Sequence, residues 1–564
     1  GWLGRRAGSI QRGIDRGIGW YTGRLDWVLR HRLLTLGSAA ALLIALIILV
    51  LPILRREFFP ETDAGTIEIF VRTKTGTRIE ATEAKVAEVE EYIRSTVADD
   101  LELTISEIGV WADWSAAYTP NAGPMDAVVR VQLRGSRKST AQEYARRLRE
   151  GMIHDPRFAT LEFAFNTGGA IRGALNEGRS TPINIQISGT SLAESHAVAM
   201  KIRQDVVGID GVVDTRIMQR LDYPGYIVDV DRAKARELGL TQRQVMENVV
   251  AAIKSSIQFN KRNFWIDPDT HNQYYVGVQY PEQDIKSLHT LLNVSITSPL
   301  QPTPIPLSNF VNLRPTLMAA EVTHTDLMAT IDISLNVEGR DLGHVADDIR
   351  RVLDRHGQRD GGAVWRPFDP EDSSKTLRGT KVVLSGEYGH MLNTFKNFAI
   401  GLSLAVVFIY FLMVVLLDSY LIPLVIMAAV PLGLVGVIPM LWATGTAINV
   451  QSLLGVVFMV GIIVSNTVLL VDFAQHLRGA ENLTPVQAIR RAAEIRARPV
   501  MMTALAALLA LTPMALALEQ GSEANAPLGR AVIGGLIAGL CTTLLVVPAF
   551  YSLVVRPRPG EQLA

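Results

Sequence analysis

The chain has 564 residues, 48% of them hydrophobic, and a mean hydropathy of +0.21, yet it carries 55 basic and 55 acidic residues. That balance excludes a protein that is membrane throughout and predicts one part in the bilayer and one in water. A net charge of +0 leaves no basic surplus for phosphates, so nucleic acid is not an expected partner, and the single cysteine, Cys541, excludes a disulfide within the chain and a cysteine metal cluster.

Residues 1–32 are basic, with Arg5, Arg6, Arg12, Arg16, Arg24, Arg30 and Arg32, and an apolar run follows over 33–54. That run is too long and too far from Gly1 for a signal peptide, and the opening Gly-Trp-Leu-Gly-Arg-Arg reads as the interior of something longer. Residues 55–170 alternate between strand and helix patterns. Ile67, Ile69 and Val71 alternate with polar residues, Ile79, Val86, Val89, Ile93 and Val97 recur at helical spacing, and strand-like runs follow at 102–111 and 126–134. The amphipathic "TAQEYARRLREGMIH" and the strand "TLEFAFN" complete a β-α-β-β-α-β unit, the split βαβ or ferredoxin-like pattern.

The pattern recurs over 171–231 and 322–380. "PINIQIS" predicts a strand, 192–209 a helix, and "VVDTRIMQRL" and "YIVDV" two more strands. The displaced second half resumes at "ATIDISLNVEG" and continues with the helix "DLGHVADDIRRVLDRHG". Residues 232–321 therefore read as an insertion, with a helix at 241–254 and the proline-rich "SPLQPTPIPLSN". Five more apolar runs close the chain at 397–417, 421–442, 449–473, 499–518 and 529–555, within a cluster spanning 397–555 and ahead of a short tail, 556–564. With 33–54 they make six runs near the roughly twenty residues that a helix needs to cross a hydrocarbon core. Arginines precede the first, lie between the fourth and fifth (Arg478, Arg490, Arg491, Arg496, Arg498) and follow the last (Arg556, Arg558), which predicts those segments to be cytoplasmic. Alternation then puts 55–396 and the acidic "EQGSEANAP" loop outside.

Catalysis finds no handle. HExxH, GxSxG and GxxxxGK[ST] are absent from the sequence, no cofactor is expected, and His271, His289 and His324 read as surface or hydrogen-bonded residues. Polar residues inside the apolar runs are more informative. "VGIIVSNTVLLVDFAQ" sets Ser465, Asn466 and Thr467 in a row. Such groups either hydrogen-bond helices together or wall a wet path through the bundle. Outside, "EIGVWADWSAAYTPNAG" carries Trp111, Trp114 and Tyr118 between two strands. Their faces suit a pocket for varied apolar molecules, or equally a small core of the loop or an interface between protomers.

One isolated span, two ferredoxin-like units with an insertion, and five clustered spans resemble the C-terminal half of an inner-membrane transporter of the resistance-nodulation-division (RND) superfamily, hydrophobe and amphiphile efflux branch. "REFFPETDAG", "VDVDRAKARELGLT", "DSYLIPLVIMAAVPLGLVG", "RARPVMMTALAALLALTPMAL" and "PLGRAVIGGLIAG" carry the resemblance, in family order. It implies a multi-pass bacterial inner-membrane protein with two periplasmic porter subdomains and a docking subdomain inserted in the second. It also implies a homotrimer, a periplasmic adaptor (membrane fusion) protein, an outer-membrane channel, and proton-driven export of small amphiphilic substrates.

In the resembled pumps the helix of Ser465 carries a lysine followed by an asparagine. Asn466 keeps the second position, while Ser465 stands where the lysine would be. Arg496 and Thr503 match the family's relay arginine and threonine, and seven residues make nearly two turns, so both lie on one face about 10 Å apart. The aromatic loop matches the position of the switch loop that lines the family's drug pocket. A proton-driven machine needs a titratable group in the membrane, but Asp418, Asp472 and Glu519 fall at span ends. The resemblance implies that the carboxylates sit on an N-terminal half. A non-transporting scaffold that binds periplasmic partners is the alternative. Metal export ranks below both, because the scattered Met125, Met152 and Met218 read as core filling.

Overall fold

Residues 19–30 form α1, which presents Tyr21, Leu25 and Leu29 to the helical core, and the first apolar run continues as α2 (Arg32–Leu49). The computed structural model describes residues 19–109, 123–168, 181–253, 264–281, 287–367, 377, 379–518 and 521–557. Beyond α2 the period changes from helix to strand. β1 (Thr66–Arg72), α3 (Ile79–Val97), β2 (Leu101–Ile108), β3 (Asp126–Leu133), α4 (Ala141–His154) and β4 (Glu162–Asn166) follow in turn. The strands pair antiparallel in the order β2-β3-β1-β4.

One face of this sheet is sealed. Ile67, Ile69, Val71, Val129 and Val131 meet Val86, Val89 and Ile93 of α3 and Tyr144, Leu148 and Met152 of α4 in a continuous core. Thr140 starts α4 by accepting the Glu143 amide at 3.2 Å.

A second sheet grows from β5 (Ile183–Gly189), α5 (Leu192–Val207) and β6 (Val212–Ile217). The chain then forms a separate compact unit, Arg220–Ala320. That unit contains β7 (Tyr223–Val230), α6 (Arg232–Glu237), α7 (Gln242–Ile253) and β8 (Val311–Met318), with β7 and β8 paired antiparallel along their length. Val245, Val249, Ile296, Leu307 and Phe310 are among its buried residues. Asp231 accepts the amides of Ala233 and Lys234 and so begins α6. The "YIVDV" stretch, expected among the strands of the second αβ unit, thus pairs with β8 instead. The reason is competition for one sheet position: β9 (Met328–Val337) lies between β5 and β6 and pairs with both.

After β9 come α8 (Leu342–His356) and β10 (Lys381–Gly386), and β10 pairs with the other edge of β5. The central order is therefore β6-β9-β5-β10. Gly386 turns strand directly into helix at φ +86, where a Cβ would lie 2.8 Å from the Pro182 carbonyl oxygen.

The helical cluster then runs α9 (Glu387–Leu417), α10 (Leu421–Met427), α11 (Ala429–Ala443), α12 (Val450–Glu481), α13 (Pro485–Ala515) and α14 (Ala526–Cys541), with a π turn (Thr542–Val546) leading into α15 (Val547–Val554). Among the described residues six helices or helix pairs are long and apolar enough to cross a membrane. Several outrun their apolar stretches. α9 starts at Glu387 and α13 at Pro485, because hydropathy marks the part of a helix that suits lipid, whereas backbone hydrogen bonds continue as long as caps and packing permit.

Candidate functional site

Two capping boxes set α12 and α13. Asn449 and Ser452 exchange backbone-to-side-chain bonds at the start of α12, and Thr484 and Gln487 do so at the start of α13, where Pro485 takes the first helical position. Only 482–484 separates the helices, and Asn482 reverses the chain at φ 49. They run antiparallel as neighbours.

On this frame the three consecutive polar residues diverge, since each step along a helix turns about 100°. Thr467 is fully buried, donates to the Ile463 carbonyl at 2.7 Å and meets the Thr543 hydroxyl at 3.2 Å. That partner lies in the π turn. Asn466 is half-buried and Ser465 exposed, so both turn away from the core of this chain's own helices. Arg496 is half-buried over the Phe473 ring, with its Cζ 4.7 Å from the centroid and its Nε enclosed without a hydrogen-bond partner. Thr503 is exposed, and its hydroxyl donates to the Val500 carbonyl of its own helix at 3.0 Å.

The Arg496–Phe473 contact fixes the register. Asn466 lies seven residues before Phe473 and Thr503 seven after Arg496, so on antiparallel helices both are displaced by about 10 Å in the same direction. Asn466 and Thr503 therefore sit at one level and Arg496 at another. The acidic residues of α12 and α13, Asp472, Glu481 and Glu494, all lie toward the end joined by 482–484. At the level of Asn466 and Thr503, and from there toward the opposite end, these two helices hold no carboxylate.

Trp111, Trp114 and Tyr118 fall outside the described residues. The strands that bear their loop are anchored: the Gly109 amide donates to the Asp126 carbonyl at 2.9 Å, the Gly123 amide to Asp126 Oδ2 at 3.1 Å, and Arg72 Nε to Asp126 Oδ1 at 2.6 Å.

Sequence reasoning missed a cleft of about 220 Å³ where the two αβ sheets approach the ends of α2 and α9, with Arg55, Glu57, Phe58, Phe59, Arg146, Phe165, Arg340 and Glu387 among its lining. Beside it Arg149 grips Asp214 through two bonds, of 2.8 and 2.9 Å, and also pairs with Glu338. Asp214 further accepts the Phe165 amide and Asn336 Nδ2, each at 2.9 Å. Burial alone would lower the Arg149 pKa, but Asp214 and Glu338 outweigh it and raise it above the usual guanidinium range. In sequence Arg149 belongs to the polar face of an amphipathic helix. Only a partner from the second unit distinguishes it from a solvated residue.

A family model described as the AcrB/AcrD/AcrF family matches residues 5–366 and 369–555. The chain is 27% identical over 572 residues to "Multidrug resistance protein MdtC" of Klebsiella pneumoniae (strain 342), an alignment covering 99% of this chain and 51% of that protein. It is 26% identical over 564 residues to the protein of the same name from Salmonella paratyphi C (strain RKS4594), covering 99% and 50%. Among solved structures, a heavy metal efflux pump is similar in fold, with a TM-score of 0.72 and 23% identity over 95% of this chain and 53% of that one. The chain spans about half the length of the curated relatives it matches.

Proposed function

The chain belongs to the AcrB/AcrD/AcrF family, and from that premise we propose that it acts as the C-terminal half of a proton-driven efflux pump for organic, amphiphilic compounds. The observation that carries this reading is the polar strip of Ser465, Asn466, Thr503 and Arg496. Its first three members are exposed or half-buried on α12 and α13, and no carboxylate accompanies them at that depth. Serine, asparagine and threonine orient protons without changing charge near neutral pH. They form one wall of a relay, and membrane carboxylates of an N-terminal half form the other.

In this reading the pump sits in the bacterial inner membrane as a trimer. The two sheets are ferredoxin-like porter subdomains on the periplasmic side, supported by their matching strand orders, β4-β1-β3-β2 and β10-β5-β9-β6. Residues 220–320 form the docking subdomain toward an outer-membrane channel, with a periplasmic adaptor alongside. Trp111, Trp114 and Tyr118 contact substrate, which comes from the periplasm or the outer leaflet. Met125 and Met152 are each buried to 1% exposure, which favours organic substrates over soft metal ions. Ser465 at the family's lysine position favours one second reading, a non-transporting scaffold that binds periplasmic partners.

The test joins the chain to, or co-expresses it with, a half that carries membrane carboxylates. Asn466→Leu in that assembly is expected to lower gradient-dependent export several-fold while trimer yield is retained. Robust gradient-dependent export by residues 1–564 alone, reconstituted in liposomes, would sink the proposal. Absence of export from the complete assembly favours the scaffold.

A further inference from the structure

Pro548 is the second residue of α15, and a proline in a helical run has no N–H for the carbonyl four residues before it. That carbonyl belongs to Leu544, inside the π turn. The backbone there already departs from the α pattern, because the Val547 amide donates to the Thr542 carbonyl, five residues back rather than four. Leu544 is buried, so bulk water does not replace the missing donor. The replacement comes from the far end of the sequence: the Tyr21 hydroxyl of α1 donates to the Leu544 carbonyl at 2.8 Å.

On α1, Tyr21 shares the buried face with Leu25, Val28 and Leu29, while Trp20, Arg24 and Trp27 are exposed. Burial pushes the Tyr21 phenol above its ordinary range, so the hydroxyl stays a donor at physiological pH. Two further bonds hold the segment in place. Arg490 Nε pairs with Asp26 at 2.6 Å, and Arg32 Nη1 donates at 2.8 Å to the Ser552 carbonyl, in the last turn of α15, where helix carbonyls lack their own donors. Thr543, next to Leu544, is buried against α12. Thr467 gives its one proton to the Ile463 carbonyl, so in its 3.2 Å contact with Thr543 it is Thr543 that donates. Eight residues further along both chains Gln475 Nε2 donates to the Tyr551 hydroxyl at 2.7 Å. Successive side chains on a helix stand about 100° apart, so the bond at Thr467 sets where Ser465 and Asn466 face. A π turn closes over one residue more than an α turn, and its loss rotates one flank against the other, which takes Thr543 off Thr467.

We propose that Tyr21 is a positioning residue for the proton relay. Its hydroxyl holds the π turn, the π turn holds Thr543 on Thr467, and that bond aims Asn466 at the carboxylates of the other half. Tyr21 itself touches neither proton path nor substrate. Such a role rests on the proposed relay, so one of its two measurements needs no transport, and the two readings can fail separately.

The first measurement uses the full chain in lipid nanodiscs, with Cys541→Ser, Thr467→Cys and Thr543→Cys, and follows disulfide formation under copper phenanthroline. Tyr21→Phe removes only the hydroxyl and is expected to slow the reaction about fivefold, the scale of one hydrogen bond. Trp20→Phe, on the exposed side of the same helix, should stay within about twofold of the parent. The second measurement joins the chain, without the introduced cysteines, to a half that carries membrane carboxylates and reads export against pH. A misaimed Asn466 alters the hydrogen bonds to those carboxylates and hence the pH at which they titrate. Tyr21→Phe is expected to move the midpoint of that profile by about half a unit or more, whereas a smaller amount of folded pump lowers export equally at every pH and leaves the midpoint in place. A disulfide rate within about twofold of the parent overturns the proposal, as does an unmoved midpoint in an assembly that exports. If the assembly with Tyr21 exports nothing, the relay reading fails, and the disulfide rate by itself still decides whether Tyr21 holds the contact.

Discussion

Asp341 shows how much one side chain can organise. Its Oδ2 accepts the His344 amide at 3.1 Å, capping α8, and the Arg56 amide at 3.0 Å, while Oδ1 faces His344 Nδ1 at 2.7 Å. The carboxylate thus ties the segment after α2 to the second αβ unit. Burial by itself would raise its pKa, but the two amides and the His344 ring outweigh that and hold it below the usual carboxylate range. A folded-state pKa below the unfolded value of about 3.9 means that the stabilisation is fully present above that value and is lost as pH falls through the folded pKa. Asp341→Asn is therefore expected to lower stability by about 1–2 kcal/mol near neutral pH, with the gap to wild type closing below about pH 4. Thermal melts over a pH series check this, and a gap that persists into acid contradicts it. The polar triplet is the contrasting case. Its presence in an apolar run is plain in the sequence, but that Thr467 turns inward to Thr543 while Ser465 turns outward depends on which face of α12 the neighbouring helices cover.

Helices cross where small residues let them. α11 and α14 approach at Gly436 and Gly534, where a Cβ on Gly436 would lie 2.0 Å from the Gly534 carbonyl oxygen and one on Gly534 would lie 2.6 Å from that of Gly436. Backbone meets backbone, so no side chain can move aside. Gly436→Val is expected to destabilise the helical cluster by about 1–3 kcal/mol or more, read as a lower melting temperature by tryptophan fluorescence in detergent. Gly401→Val on α9 meets nothing within 4 Å and serves as the control that should melt near wild type, apart from the small loss of helix propensity. Equal losses in both variants would deny the crossing its role. Glycines in "AAVPLGLVG" and "VIGGLIAG" are visible as letters, but their pairing across two helices a hundred residues apart is not, because the hydropathy pattern is the same whichever helix lies alongside.

At the scale of the molecule, orientation follows from charge. Arginines concentrate before α2, around the start of α13 and after α15, and the Arg490–Asp26 pair, at 2.6 Å, joins two of those segments. The pair puts both segments on one side, and the positive-inside rule predicts that this side is the cytoplasm. With Cys541→Ser as background, Glu237→Cys should react with an impermeant thiol reagent on spheroplasts, and Arg24→Cys only after permeabilisation. The reverse pattern would overturn the orientation.

Local periodicity was enough for the sequence by itself to determine six apolar helices, two sheets of repeated βαββαβ pattern and an interrupted second unit, since each depends on residues within one turn or one strand of each other. It also determined that Asn466 is out of place in an apolar run. Tertiary structure alone decided that β9 rather than "YIVDV" lies between β5 and β6, that Arg149 finds Asp214, and that Arg216 is buried over Phe70. Strand neighbours and ion pairs are choices among distant candidates of equal local fitness, and only the shared burial of both partners selects one.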